Sequence, residues 1–268
     1  TNRVTFYYPA LSAVNAASFQ ANRALSPNAI ASIFPTGITF GKDTAAAFDL
    51  PKPLPLPTTL ADLQVTVNGV PAPLYFVAPG QINFIVPWGT DTGSPADVQV
   101  TKVSTGQLLA ASLVPMNSVS PAIFVLRPLS QGVQLAAIVN SSDNSVNDPT
   151  HPAKRGEIIS IYGTGQGPVS SQPADGDVPK NGLSTSTAGL RIVIGSDYTD
   201  QIPLLPGEER RPVEFSGLSP NYPGMWQINV KIPMSTAPGQ TPIAVQLNSL
   251  GANDPAVVGY RLVFYVAQ

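Results

Sequence analysis

The sequence contains no cysteine and only one histidine among its 268 residues. The first absence excludes disulfide staples and thiolate metal sites, although it leaves the cellular compartment open. The second leaves any Ser or Thr nucleophile with one candidate histidine base, His151, in the proline-bracketed loop Asp148-Pro-Thr-His-Pro-Ala-Lys154. No Gly-x-Ser-x-Gly elbow presents such a nucleophile. Charge is scarce too. Asp, Glu, Lys and Arg make up 11% of the chain and nearly cancel, at −2. That balance supplies neither the basic face that nucleic acid requires nor the repulsion that keeps a chain disordered. The basic pairs Lys154-Arg155 and Arg210-Arg211 each have a glutamate nearby and read as solvated pairs. No apolar run reaches the roughly 18 residues of a membrane span. Long helical patterns are missing because the 29 prolines interrupt them. Only Thr44–Asp49 has room for a helical turn or two.

What the chain does have is short β-branched or aromatic runs bounded by Pro, Gly, Asn or Ser. Strands are predicted at Val4–Tyr8, Ile30–Phe34, Leu63–Val67, Gln81–Val86, Asp97–Val103, Ile158–Tyr162, Arg191–Ile194, Trp226–Ile232, Ile243–Leu247 and Arg261–Val266. Between them, Leu50–Pro57 alternates proline and suits an extended polyproline II segment lying across a sheet edge.

Three blocks recur in the same order. Gln81-Ile-Asn-Phe-Ile-Val-Pro87 returns as Gln227-Ile-Asn-Val-Lys-Ile-Pro233, each after a Pro-Gly pair. Ala29-Ile-Ala-Ser-Ile-Phe-Pro-Thr-Gly37 aligns with Glu157-Ile-Ile-Ser-Ile-Tyr-Gly-Thr-Gly165, and Val65–Gly69 with Ile192–Gly195. The expected fold is therefore all-β: two tandem immunoglobulin-like β-sandwich domains related by an internal repeat. They span 1–127, with an N-terminal arm, and 132–268, joined by the stiff connector Arg127–Gln131. The second copy carries an insertion, Thr199–Pro212, read as a solvated hairpin tip. By the two-residue strand period, Ile82 with Phe84 and Ile228 with Val230 face the two cores, while Asn83 and Asn229 point away.

Chemistry-bearing patterns are thin. Asp175 with Asp177, and Glu208 with Glu209, lie in turn-like stretches that would not hold two carboxylates at a fixed separation for glycoside hydrolysis. Gly163-Thr-Gly-Gln-Gly167 follows a strand but opens no helix, so its glycines are assigned to a turn rather than to a phosphate. Asn140–Asp148 offers several oxygens to Ca²⁺, in no EF-hand order, and Asx turns account for it as well. Neither catalytic nor metal-binding residues are assigned, and no cofactor beyond that one calcium possibility. Trp226 is expected to pack in a core, whereas Trp88 and Tyr222 are candidate exposed aromatic contacts.

Asn15-Ala-Ala-Ser-Phe19, Val65-Thr-Val-Asn-Gly69, Ala78-Pro-Gly-Gln-Ile-Asn-Phe84, Val86-Pro-Trp-Gly89, Pro121-Ala-Ile-Phe124 and Tyr162-Gly-Thr-Gly-Gln-Gly-Pro168 are specific in combination. Together they resemble the C-terminal domain family of acidobacterial secreted proteins of the Solibacter type, over Val14 to about Leu247. The resemblance implies an extracellular or surface-attached bacterial protein with Ig-like or TIG-like sandwiches, and it brings no catalytic residues. A start at Thr1 is what signal-peptide removal leaves, as trimming also would. The expected function is thus a non-catalytic structural or adhesive protein. It would be a self-assembling surface or filament subunit, or alternatively a carbohydrate- or polymer-binding module using Trp88 and Tyr222. The arm before the repeat, Arg3-Val-Thr-Phe-Tyr-Tyr8, alternates Val4, Phe6 and Tyr8 against Thr5 and Tyr7. It is the candidate subunit interface, because so aromatic a strand should pair with an edge in its own domain or in a neighbour.

Overall fold

The computed structural model describes residues 10–21, 23–180, 183–195, 197–200, 213–253 and 261–268. The arm residues Val4, Phe6, Tyr7 and Tyr8, and the tip of the insertion from residue 201 to 212, lie outside them. The described chain is almost wholly β, in four sheets. Its strands are, in order, β1 (Leu11–Asn15), β2 (Ile30–Pro35), β3 (Ala45–Ala46), β4 (Leu63–Val67), β5 (Val70–Pro71), β6 (Leu74–Ala78), β7 (Gln81–Ile85), β8 (Ala96–Lys102) and β9 (Gln107–Val114). They continue with β10 (Ala122–Ile123), β11 (Val125–Ser130), β12 (Val133–Ala136), β13 (Ile138–Asn140), β14 (Ile158–Thr164), β15 (Leu190–Ile194) and β16 (Asp197–Asp200). The last are β17 (Val213–Leu218), β18 (Trp226–Lys231), β19 (Gly239–Leu247), β20 (Leu250–Ala252) and β21 (Arg261–Val266). Thr44–Asp49 forms β3 and a single 3₁₀ turn, Ala47–Asp49, rather than α-helix.

Sheet β1-β2-β7-β6-β3 faces sheet β5-β4-β8-β9. Ile33, Leu74, Ile82 and Phe84 of the first meet Val65, Val98 and Val100 of the second in one buried cluster. Sheet β10-β14-β18-β17, with β13 also on β14, likewise faces β11-β12-β21-β19-β15-β16, with β20 on β19. Their shared cluster holds Ile159, Ile161, Trp226, Ile228 and Val230 against Ile192, Val245 and Phe264. The strand period explains this division. Ile82, Phe84, Ile228 and Val230 are all fully buried, as their alternation predicts. Ile228→Ala should therefore cost about 2–5 kcal/mol, read from chemical unfolding; a loss below about 1 kcal/mol would show that the site collapses around the smaller side chain.

The repeated blocks occupy corresponding places. In β2/β7, Ser32 lies opposite Asn83 and Ile33 opposite Ile82; in β14/β18, Ser160 lies opposite Asn229 and Ile161 opposite Ile228. The neighbouring strands carry the same irregularity, between Leu74 and Phe76 on β6 and between Val213 and Phe215 on β17. The identical polar residues have one physical role. Ser32 Oγ and Gln81 Nε2 both donate to Asn83 Oδ1, at 2.9 and 2.7 Å. Ser160 Oγ and Gln227 Nε2 do the same to Asn229 Oδ1, at 3.0 and 2.9 Å.

The junction differs from the sequence reading. Arg127–Ser130 is not a bare connector but part of β11, paired antiparallel with β12. Core membership instead changes between Met116 and Val119. A chain segment with free backbone groups beside an open strand gains by pairing with it, and the composition of Arg127–Gln131 carries no trace of that choice.

Candidate aromatic groove at the seam

Two sheets, β1-β2-β7-β6-β3 and β10-β14-β18-β17, come from different halves of the chain and meet along a seam. Ala16, Ile30, Ala47, Leu56 and Ile85 form a small separate core there, with Tyr75, Phe124 and Met225 packed against it. Hydrogen bonds cross it at several points. The buried Thr164 hydroxyl accepts from Ile30 N and donates to Gly224 O, both at 2.8 Å, so one side chain ties β2 to β14 and to the turn before β18. Asn15 Nδ2 donates to Ser120 O at 2.8 Å, and Tyr75 Oη to Pro223 O at 2.6 Å. Burial, with the neighbouring Tyr222 adding to it, pushes the Tyr75 phenol well above the usual tyrosine range.

The Gly163-Thr-Gly-Gln-Gly167 segment belongs to this seam. A Cβ on Gly163, Gly165 or Gly167 would stand within 2.4 Å of a carbonyl oxygen in the crossing segment Ser118–Ala122. Its glycines let two backbones touch, which is more than the turn expected of them and is no phosphate cradle.

Beside the seam runs an open groove of about 480 Å³, lined among others by Phe19, Tyr75, Phe76, Phe124, Tyr222 and Met225. Two further hollows of about 380 Å³ each adjoin it at Phe124. The aromatic rings are linked: Phe48 lies 5.7 Å from Tyr75 and 6.2 Å, edge-on, from Tyr222, and Phe19 lies 6.2 Å from Phe34. Phe19 is 56% and Tyr222 47% exposed. Ser32, Gln81 and Asn83 add a neutral polar strip to the same wall. Among the described residues no charged side chain lines this main hollow. Stacking surface with neutral hydrogen-bonding groups suits an uncharged ligand that has an apolar face. No family model and no curated protein matches the chain.

The sequence-predicted residues divide between this groove and other places. Tyr222 stands in it. Trp88 does not: it is half-buried, and its backbone N–H donates to Asp175 Oδ1 at 2.9 Å across the seam. That bond occupies one carboxylate of the Asp175–Asp177 pair, while Asp177 caps Val178 N and pairs with Lys180. Glu208 and Glu209 lie outside the described residues. Leu50–Pro57 does run along a sheet edge, with Leu56 N donating to Gly176 O and Leu74 N of β6 to Pro57 O, at 2.8 and 2.7 Å. The groove's other aromatics, Phe19, Tyr75, Phe76 and Phe124, come from three separate segments. Each alone looks like ordinary core, so no local signal marks them.

Of the Asn140–Asp148 loop, the side chains of Asn140 and Asn147 are buried and bonded within the protein, while Asp143 and Asn144 are exposed. Asn147 Nδ2 donates to Asn140 Oδ1 and Tyr265 O, and Asn147 Oδ1 accepts from Tyr265 N. Asn140 Nδ2 donates to Ser145 Oγ and His151 O. Among the described residues no cluster of three or more His, Asp or Glu side chains is placed to hold a metal ion. Asp148 accepts from Thr150 Oγ1 and N at 2.7 Å and from His151 N at 2.8 Å. The Thr150 hydroxyl, then the two amides and the His151 ring, pull its carboxyl from 3.8 down to about 2. A depressed carboxyl supports the loop above the unfolded value and loses that support as pH falls through the folded one. The amide NMR shifts of Thr150 and His151 should therefore move between about pH 4 and pH 2. Asp148→Asn should abolish that step, and a step surviving the substitution would rule out this carboxylate as its source.

Proposed function

We propose that the chain is a non-catalytic extracellular structural or adhesive protein, made of two diverged immunoglobulin-like sandwiches, that assembles as a surface or filament subunit by strand addition through Val4–Tyr8. The observation that carries this reading is the seam. Buried hydrogen bonds, and the close approaches of Gly176 to Pro73 and Leu56 and of Gly224 to Asn28, join the two sheet pairs, so a pull on one half passes to the other without a flexible linker. A rigid block with one pairing arm repeats head to tail without closing, and the product is a fibre. The resemblance to secreted bacterial domains supports the extracellular setting. Electron microscopy and light scattering of the whole chain test the reading. Extended assemblies are expected, and removal of residues 1–9 should leave folded monomers with an unchanged melting temperature. Assemblies that persist without the arm, or a whole chain that stays monomeric at every concentration, would refute it.

The groove favours a second reading, a carbohydrate- or polymer-binding surface. Its half-exposed Tyr222 and Phe19 offer the stacking faces that sugar rings use. Binding of a neutral polysaccharide that Tyr222→Ala abolishes and Trp88→Ala leaves intact would place binding in the groove. Equal loss from both substitutions would exclude the groove as its location.

A further inference from the structure

The polar residues shared by the two halves leave bonding capacity over. Asn83 Oδ1 accepts from Ser32 and Gln81, and Asn229 Oδ1 from Ser160 and Gln227, which turns each asparagine Nδ2 away from these neighbours. Both Nδ2 groups, and the Oε1 atoms of Gln81 and Gln227, have no partner among the described residues and stay open to water. Each half therefore presents an amide donor and an amide acceptor in a fixed orientation. Opposite each asparagine stands a half-buried phenylalanine, Phe76 across from Asn83 and Phe215 across from Asn229, placed by the same strand irregularity. A network that served only the fold would need the asparagine oxygens and neither the free groups nor the rings.

The two units lie on one side of the seam. By the strand period Ile30 and Ile85 share the face of Ser32 and Asn83, and Met225 that of Gln227 and Asn229. Ile30, Ile85 and Met225 all meet in the small seam core. β7 enters the seam at Ile85, and β18 leaves it after Gly224, where a Cβ would lie 3.2 Å from Ile85 Cδ1. Glutamine thus precedes asparagine in the same sense on both sides. Ser32 and Ser160 are at most about 27 Å apart, from strand rise on either side of the Thr164–Ile30 bond. The hollow lined by Tyr162, Tyr222 and Met225 lies between the units.

We infer that the units are two equivalent subsites for one linear neutral polysaccharide of the β-glucan class, laid across the seam; the inference rests on the reading of the groove as a polymer-binding surface. All eight side chains are uncharged. A pyranose ring with equatorial hydroxyls offers C–H groups to a phenylalanine face, and along its edge hydroxyls that accept from Nδ2 and donate to Oε1. The units sit on sheet faces, where no backbone groups are free to pair with a peptide strand. A subsite repeated in one sense matches a polymer that repeats in one sense.

Calorimetric titration of the whole chain with hydroxyethyl cellulose, and with cello-oligosaccharides of increasing length, tests the assignment. Short oligosaccharides should fill two equivalent sites per chain. One long enough to span both should bind singly and about a hundredfold more tightly. Asn83→Asp and Asn229→Asp keep the oxygen that serine and glutamine need and remove the free donor. Each should leave one short-chain site and abolish the gain with length, at unchanged melting temperature. Phe76→Leu and Phe215→Leu, which spare every side-chain hydrogen bond, should act in the same way and decide the point should an aspartate lower the melting temperature. Binding that Tyr222→Ala abolishes, but that shows a single short-chain site, no gain with length or indifference to these variants, would overturn the paired subsites and leave the groove reading standing. So would a glucan that fails to bind while another neutral polysaccharide binds at Tyr222. No binding of any neutral polysaccharide would overturn both.

Discussion

Gly165→Ala should destabilise the protein by about 2–5 kcal/mol, the sum of a left-handed backbone forced on a side chain and an overpacked contact. Gly165 has φ of 82°, and a Cβ there would sit 1.9 Å from Ser120 O. The neighbour is backbone, so it has no rotamer through which to yield. Relief would require Ser118–Ala122 to lift from β14, which would break the Ser120 N to Gly165 O bond and the Asn15 side chain's bond to Ser120. The matched control is Gly106→Ala, where φ is 67° but nothing lies within 4 Å of the added atom. Only the conformational cost of about 1 kcal/mol applies there. Denaturant unfolding of both variants separates the two contributions. Equal losses would mean that the close approach at the seam contributes nothing.

Trp226→Ala should cost about 3–5 kcal/mol, a large part of the stability of an ordinary domain. Trp226 is fully buried on a central strand, between β14 and β17, and its Nε1–H donates to Ser216 Oγ at 3.0 Å. The substitution removes a large apolar side chain and also deprives the buried Ser216 hydroxyl of a donor. Trp226→Phe keeps most of the packing and should cost about half as much. If the two variants unfold at the same denaturant concentration, the hydrogen bond rather than the lost volume dominates.

Parts of the fold were legible because they follow from a period of two. Ile82, Phe84, Ile228 and Val230 had to share a face, and the repeat identified which runs were central strands. The identity of Gln81 with Gln227 and of Asn83 with Asn229 was visible too, but its reason was not. It becomes clear only when β2 brings Ser32, and β14 brings Ser160, to the same asparagine oxygen. The junction was misplaced for a related reason. β11 is fixed by its partner β12, and nothing in Arg127–Gln131 declares a pairing. Trp88 was read as an exposed contact because it stands between Pro87 and Gly89; its neighbour across the seam, Asp175, is 87 positions away.

By itself, the sequence determined that this protein is all-β, that two runs of strands carry corresponding central motifs, and that neither disulfides nor thiolate metals hold it together. These are properties of composition and of local period, and every window of the chain repeats them. Tertiary structure alone decided which glycines must be glycine, and that Phe19, Tyr75, Phe76, Phe124 and Tyr222 share one groove. Those outcomes depend on distances between segments up to 148 residues apart in the chain, as Tyr75 and Pro223 are. Sequence separation of that size leaves no periodic trace, because the contact is set by how two sheets dock and not by the residues adjoining either partner.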